Sequence, residues 1–334
     1  MKVFIHYQPK QNRDSFEGVR LRKTLKGECE LAGISWVSNA KTEPDLAHFI
    51  SPHDITLLKK MKKKGVKCIV SAFYCENDPY ASYLNRKNSK NPVLSEDGAA
   101  FCNEADLVLV PNEFFKDFAI SQGVTKPVRV MSPSVDLSRF KIYPGEERIF
   151  PHYFRVKPNQ AVVVCSGSYS DKDVLARFTK ISQLCPEIEF YFFGTSIKRF
   201  AALWGKIERL NKKATPNCHF VPASHDDIYR SALYRSIARL SLSDPARESL
   251  GVLDAFAAKL QVVALGDRPF SQWIKADVTA KVFHSEEEIA SYLHDLYRGD
   301  AEVTIMAGYQ IAMDRRIECG AENLKIIYES LLNS

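Results

Sequence analysis

Short continuous apolar runs alternate with stretches of helical apolar spacing along nearly the whole chain. In the first half the runs fall at residues 3–5, 34–37, 46–50, 67–72, 107–110 and 128–131. Between them, 18–31, 54–64 and 112–121 repeat apolar positions at i, i+3 and i+4, which predicts amphipathic helices. Leu107-Val108-Leu109-Val110 has no polar alternation at all. A strand buried on both faces reads this way, as in a parallel sheet covered by helices. Strand–helix–strand alternation therefore predicts an α/β fold built on parallel sheets.

The alternation stops at 132–158, which carry Pro133, Pro144, Pro151 and Pro158 and few periodic positions. Proline without period predicts a linker or hinge. The pattern then resumes, with runs at 161–165, 188–193, 218–221, 238–242 and 262–265 and helical spacing at 173–184, 197–210, 226–235 and 250–259. The stretches 286–296, 303–315 and 321–332 are helical by the same spacing. The expected organisation is a Rossmann-like domain at 1–140, a linker at 141–158, a second Rossmann-like domain at 159–310, and a C-terminal helical tail at 311–334 that crosses back to the first domain. In open α/β sheets ligands lie beyond the carboxyl ends of the strands. With two such sheets facing each other, the cleft between them is the default site.

Composition narrows the class. A length of 334 residues suits two domains, and 45% apolar with 26% charged residues is ordinary globular material. No apolar run approaches the ~18 residues that span a bilayer, and the opening Met1-Lys2-Val3-Phe4-Ile5-His6 is too short for a secretory signal. A cytoplasmic protein is expected, peripheral at the inner face of the membrane if it meets one. The eight cysteines form no C-x-x-C pair, so no metal site is expected and the thiols read as small apolar residues.

Charge is uneven. Residues 1–150 hold 23 Lys/Arg against 18 Asp/Glu, a net of +5, and 151–334 hold 23 against 22, a net of +1. The excess concentrates at Lys59, Lys60, Lys62, Lys63, Lys64 and Lys67, interleaved with Leu57, Leu58 and Met61. That pattern fits a helix lying on an anionic membrane surface, or a solvated helix face. A nucleic-acid reading lacks interleaved aromatic residues for stacking.

Three loops carry residue types suited to a phosphate or a sugar. Ser15-Phe16-Glu17-Gly18-Val19-Arg20 follows the first strand, and Gly18 there serves either a tight turn or a phosphate approached by backbone. G-x-G-x-x-G is absent, which argues against a dinucleotide fingerprint. Val164-Cys165-Ser166-Gly167-Ser168-Tyr169-Ser170-Asp171-Lys172 joins a strand to a helix. Gly167 exposes backbone N–H groups and Lys172 supplies a cation for a diphosphate, while Asp171 would repel it. Ser243-Asp244-Pro245-Ala246-Arg247-Glu248-Ser249-Leu250-Gly251 opens the next helix. Arg247 suits a phosphate and Glu248 suits sugar hydroxyls, or Glu248 and Ser249 simply cap the helix.

Taken in order, these segments resemble the family-4 glycosyltransferases, and among them the bacterial diacylglycerol glycolipid synthases. The resemblance runs through Pro44-Asp45-Leu46-Ala47-His48, Asp106-Leu107-Val108-Leu109-Val110-Pro111-Asn112, Lys126-Pro127-Val128, Val135-Asp136-Leu137-Ser138-Arg139-Phe140, Glu248-Ser249-Leu250-Gly251 with Leu253-Asp254-Ala255-Phe256-Ala257, Asp267-Arg268-Pro269-Phe270, and Arg315-Arg316-Ile317-Glu318 through Tyr328-Glu329. It covers nearly the whole chain.

The resemblance implies the GT-B fold, a retaining hexosyl transfer from a nucleotide sugar such as UDP-hexose, no cofactor or metal, and a membrane glycolipid or diacylglycerol acceptor. It also implies roles. Glu248 would be catalytic and hold donor-sugar hydroxyls. Gly18, Gly167, Lys172, Arg247, Ser249 and Leu250 would surround the donor, and Asp254 would stand in for the carboxylate that grips the ribose. Lys59, Lys60, Lys62, Lys63 and Lys64 would meet the membrane.

The departures from the family pattern support a rival. The histidine usual after the fourth strand is Phe73, and the arginine usual beside Lys172 is Asp171. The second glycine of the first turn is Arg20, and Pro133-Ser134 stand in place of the family's N-G. E-x7-E is reduced to Glu248-x5-Asp254, and two residues fewer in a helix rotate the second carboxylate by about 200°. The rival is a catalytically impaired relative that serves as a binding subunit, partnering an active glycosyltransferase.

Overall fold

The structure, a computed structural model, describes residues 1–7, 16–50, 54–74, 81–82, 93–94, 96–169, 171–195, 200–222, 226–243, 249–267 and 271–334. The chain divides into two compact units. One is Met1–Val135 together with Arg315–Ser334; the other is Asp136–Asp314.

Unit one is a six-stranded, wholly parallel sheet. Its strands are β1 (Lys2–His6), β2 (Ser35–Val37), β3 (Leu46–Ile50), β4 (Lys67–Ser71), β5 (Leu107–Val110) and β6 (Val128–Val130), in the order β2-β1-β3-β4-β5-β6. All four side chains of β5 are buried, as their unbroken apolar run requires. Helices α1 (Phe16–Leu31) and α12 (Ile317–Leu332) cover one face; Leu25, Cys29, Leu324, Ile327 and Tyr328 meet Val3, Ile5 and Leu109 there. Helices α2 (Ile55–Lys63), α3 (Glu96–Glu104) and α4 (Glu113–Ser121) cover the other, with Leu58, Met61, Phe101 and Phe115 against Phe49 and Val70. Helix α3 and a short ladder of Ala81–Ser82 with Val93–Leu94 fall in a stretch where the apolar pattern predicts neither.

Unit two repeats the plan. Its strands are β7 (Val162–Ser168), β8 (Glu189–Thr195), β9 (Cys218–Pro222), β10 (Ala238–Ser241), β11 (Gln261–Leu265) and β12 (Lys281–Phe283), all parallel, in the order β9-β8-β7-β10-β11-β12. Strand β12 goes unread in the apolar pattern because it is a three-residue edge strand with half-buried side chains. The helices are α5 (Ile149–Phe154), α6 (Lys172–Leu184), α7 (Phe200–Lys213), α8 (Asp226–Arg235), α9 (Leu250–Ala257), α10 (Glu286–Arg298) and α11 (Ile305–Asp314).

Residues 141–158, expected as a linker, carry a 3-10 turn at Glu146–Arg148 and then α5. Phe150 is fully buried there, its ring 4.9 Å from Tyr191, and its N–H donates to Ser231 on α8. Pro151 sits inside α5 near its start, where a missing N–H costs little.

Chain order and spatial order disagree at one place in unit two: β7 pairs with both β8 and β10. The connections leave this point toward opposite edges, so the loops after β7 and β10 diverge and open a crevice at the carboxyl edge. In unit one the corresponding switch lies between β1 and β3.

Candidate functional site

Three of the loop residues singled out above, Gly167, Lys172 and Ser249, lie on the elements that flank the switch point of unit two. Ser166 and Gly167 lie toward the carboxyl end of β7, half-exposed. A Cβ on Gly167 would meet the Phe192 ring at 3.3 Å, so a larger residue would press on the next strand. Lys172 is the first residue of α6 and is exposed.

Asp171, the charge that opposes a phosphate here, is turned onto its own helix. It is the N-cap of α6 and accepts the Val174 N–H at 3.1 Å. Part of its charge is thereby neutralised by the helix end it caps.

Helix α9 begins at the neighbouring loop. Ser249 is its N-cap, accepting the Gly251 N–H at 3.2 Å. Leu250 is 4% exposed and belongs to the core. Arg247 and Glu248 lie outside the described residues. Asp254, one turn into α9, is 1% exposed. It acts electrostatically on Arg139 in the 3-10 turn Leu137–Phe140, whose guanidinium also pairs with Asp226. Burial opposes the charge on Arg139, and Asp254 and Asp226 together raise its pKa.

Beneath this site lies a residue that motif spacing did not bring forward. Arg239 on β10 is 1% exposed. Ala238 and Leu240 point into the unit's main core, so Arg239, between them in a strand, points to the other face, under α9. Its Nη2 donates to the Ser166 hydroxyl at 3.0 Å and lies 3.5 Å from the Ser249 hydroxyl; Nη1 donates to the Leu240 carbonyl at 3.2 Å. Gly251 makes room for it: a Cβ there would strike the guanidinium and stand 2.7 Å from Ser166 Oγ. The available signal was an arginine inside an otherwise apolar strand pattern.

In unit one, Gly18 does not sit in a free turn. It is the third residue of α1, and a Cβ there would strike the Tyr7 phenol. Its smallness serves Tyr7. His48 on β3 is buried and bonded at both nitrogens, to the Tyr328 hydroxyl and the Ser71 hydroxyl, each at 2.7 Å. Burial drives its pKa down to about 3, so it is neutral.

A small pocket of about 40 Å³ opens beside His48, lined among others by Leu21, Glu28, Tyr74, Met131 and Ser134. Glu28 is 3% exposed and accepts from Ser134; burial raises its pKa to about 7 against the lowering effect of that bond. Phe73 takes a left-handed backbone (φ 68°) and turns its ring into the core, 4.9 Å from and nearly parallel to Phe115. Asn112 caps α4, accepting the Phe115 N–H at 3.0 Å.

The lysine-rich helix α2 differs from the expected surface helix. Leu58 and Met61 are buried in the core, so no apolar stripe is left to enter a membrane. Lys62 pairs with Asp106, which also accepts the Cys68 N–H at 2.7 Å. Lys59 stands 3.4 Å from Glu104. Lys60, Lys63 and Lys64 are exposed. No helix among the described residues is long and apolar enough to cross a membrane.

Two parallel six-stranded α/β units, each with its switch point, define the GT-B class of fold, that of nucleotide-sugar glycosyltransferases. The structure is similar to that of Anabaena Alr3699/HepE in complex with UDP-glucose, with a TM-score of 0.71 at 12% identity over 98% of this chain and 99% of that one. WaaG, a glycosyltransferase involved in lipopolysaccharide biosynthesis, is similar with a TM-score of 0.65 at 14% identity, covering 98% and 99%. In sequence, the chain is 25% identical over 335 residues to a processive diacylglycerol alpha-glucosyltransferase of Acholeplasma laidlawii, covering 99% of each. No protein-family model matches the chain.

Proposed function

We propose that the protein is a retaining hexosyltransferase that moves glucose or a related hexose from a UDP-sugar to a neutral glycerolipid such as diacylglycerol. The observation that carries this reading is the end-to-end similarity to the diacylglycerol alpha-glucosyltransferase. An α-product from a UDP-α-sugar is retention. The donor is assigned to the switch point of unit two, with Gly167 near the end of β7, Lys172 at the start of α6 and Ser249 at the cap of α9 as its supports. N–H dipoles and cations at that point would stabilise the charge that grows on a departing diphosphate. Arg247 and Glu248, in the loop leading into α9, are assigned to the phosphate and to the sugar hydroxyls. Gly18 and Leu250 shape packing in this reading, and Asp254 acts from within the core. The acceptor is assigned to unit one. The exposed Lys60, Lys63 and Lys64 are assigned to the anionic inner leaflet, by charge attraction alone.

The test is direct. Purified protein with UDP-glucose or UDP-galactose and diacylglycerol in mixed micelles should release UDP and form an α-linked glycolipid, identified by the anomeric proton coupling. No turnover across a broad panel of donors and acceptors would overturn it.

One observation favours the second reading, a binding subunit without turnover that partners an active glycosyltransferase. Phe73 is 1% exposed and stacked on Phe115, so its side chain offers a sugar no polar atom. Tight UDP binding by calorimetry with no product would select it.

A further inference from the structure

Arg239 carries a full charge into the interior of unit two. It is 1% exposed, forms no ion pair with an acid among the described residues, and leaves its Nε without a partner. A buried guanidinium facing only neutral acceptors is costly, because desolvation is not repaid by an opposite charge. Two further facts sharpen the problem. The guanidinium lies beneath the first turn of α9, whose N-terminus is itself a positive dipole end. It also lies between β7 and β10, at the switch point. Two positive sources are thus stacked at the one place in the sheet where ligands of such folds settle.

The hydroxyls around it complete the pattern. Ser249 Oγ accepts from the Gly251 N–H and faces Arg239; Ser166 Oγ accepts from Arg239. A hydroxyl has one proton to give. With their oxygens already accepting, both serines have that proton left to donate, and neither donates it to an acceptor in the described protein. Both side chains are half-exposed. Bonds in such a chain polarise one another, so a hydroxyl accepting from a guanidinium becomes a stronger donor.

We propose that Arg239 is the fixed counter-charge for the donor's diphosphate, acting from beneath through the hydroxyls of Ser166 and Ser249. Arg239 is a positioning residue: it orients the two donors and sets the potential, while the serines touch the phosphates. The inference rests on the assignment of the donor to this unit. It adds two residues, Arg239 and Ser166, that resemblance and spacing did not supply.

The experiment compares UDP with uridine by calorimetry and follows the thermal midpoint of each variant. Arg239→Met should weaken UDP binding about tenfold or more and leave uridine binding unchanged. Its thermal midpoint in the absence of ligand should hold or rise, because an unpaired buried charge is replaced by an apolar side chain of similar reach. Ser166→Ala and Ser249→Ala should each weaken UDP and spare uridine, which keeps the test open if Arg239→Met does not fold.

A purely structural arginine would behave otherwise. Its loss would lower the midpoint and weaken UDP and uridine together, and that result overturns the proposal, as does full UDP affinity in both serine variants. Inorganic pyrophosphate separates this inference from the reading it rests on. Wild type that binds no nucleotide, yet binds pyrophosphate in a manner abolished by Arg239→Met, overturns the donor assignment and keeps the anion site. Pyrophosphate binding indifferent to Arg239 overturns the inference.

Discussion

Ser134 donates its hydroxyl to a carboxyl oxygen of Glu28, joining the segment after β6 to α1 across 106 residues of sequence. Gly320 of α12 closes over the pair: a Cβ there would strike Glu28 and stand 2.9 Å from Ser134 Oγ. Three separate parts of unit one therefore meet at one buried acid. Among the described residues, burial and the Ser134 hydroxyl act on its pKa and no cation does. His48 is neutral, and burial raises the Tyr74 and Tyr328 phenols and the Cys29 thiol above their usual ranges.

This buried acid gives stability a definite pH dependence. Glu28 titrates at about 7 when folded, against a usual value of 4.5. The folded state therefore holds its proton between those values while the unfolded chain has lost it. The contribution is fully present below pH 4.5 and is lost as pH rises through 7. Glu28→Gln keeps an acceptor for Ser134 and removes the ionisation. Relative to wild type it should gain up to about 3 kcal/mol at pH 8.5, and the gain should vanish near pH 4.5. Urea midpoints at the two pH values measure this; a gain that does not depend on pH would refute it.

His48 works in the opposite direction. Its folded pKa of about 3 lies below the usual 6.5 because it is buried and neutral. The unfolded chain binds a proton that the folded chain refuses, so stability is present above pH 6.5 and falls as pH drops toward 3. Between 6.5 and 4.5 the two groups oppose each other. Wild type should therefore show a flat stability profile in that window, and Glu28→Gln should lose stability as pH drops from 6.5 to 4.5. Denaturation across pH 4.5–6.5 separates them, and parallel profiles would sink the assignment.

The strongly buried parts of the fold are legible in the sequence, and the directions of individual side chains are not. Leu107–Val110 shows its burial on both faces as an unbroken apolar run. Lys281–Phe283 hides because it is a three-residue edge strand that opens on a lysine and has only half-buried side chains, too short to show a period. Leu58 and Met61 are apolar at helical spacing whether they face lipid or core; only α3 and the sheet, packed on that side, decide it. Asp171 beside Lys172 reads as a charge reversal at a phosphate site until its carboxylate is seen on the Val174 N–H. Arg239 is visible as a charge in an apolar run, but its reach to two serines in other segments is a property of the register between β7 and β10.

The Asp171 cap bears on the arginine that the resemblance leads one to expect beside Lys172. Asp171→Arg removes the acceptor for Val174 and places a cation at a positive helix end. It should cost about 1 kcal/mol or more of stability. Asp171→Ser, which still caps, should cost little. If the arginine variant were as stable as wild type in chemical denaturation, the capping role would be wrong.

Phe73 raises the parallel question for the missing histidine. Its ring stacks on Phe115 at 4.9 Å and meets Phe118 edge-on at 5.6 Å, with the backbone at φ 68°. An imidazole in that slot would present a smaller ring to Phe115 and bring polar nitrogens into an apolar cluster. Phe73→His should therefore destabilise by about 2 kcal/mol and produce no rise in turnover with UDP-glucose and diacylglycerol. A rise in kcat at this single substitution would mean that residue 73 can reach the substrate, contrary to its burial.

The lysines of α2 divide into two kinds, and a pair of variants tells them apart. Lys60, Lys63 and the C-cap Lys64 are exposed and unpaired among the described residues, while Lys59 faces Glu104 at 3.4 Å and Lys62 is tied to Asp106, which in turn receives the Cys68 N–H at the start of β4. Charge reversal of the three exposed residues should sharply reduce binding to vesicles containing phosphatidylglycerol. Each reversed lysine removes roughly 1 kcal/mol of attraction at low salt, and the loss should shrink as salt shortens the Debye length. Their folding stability should stay within about 0.5 kcal/mol of wild type. Lys62→Ala should do the reverse, lowering stability by roughly 1 kcal/mol through the half-buried pair and leaving vesicle binding nearly intact. Flotation with vesicles of graded anionic content, alongside urea denaturation, reads both effects. Equal vesicle losses in the two variants would show that the face is not divided as the structure divides it.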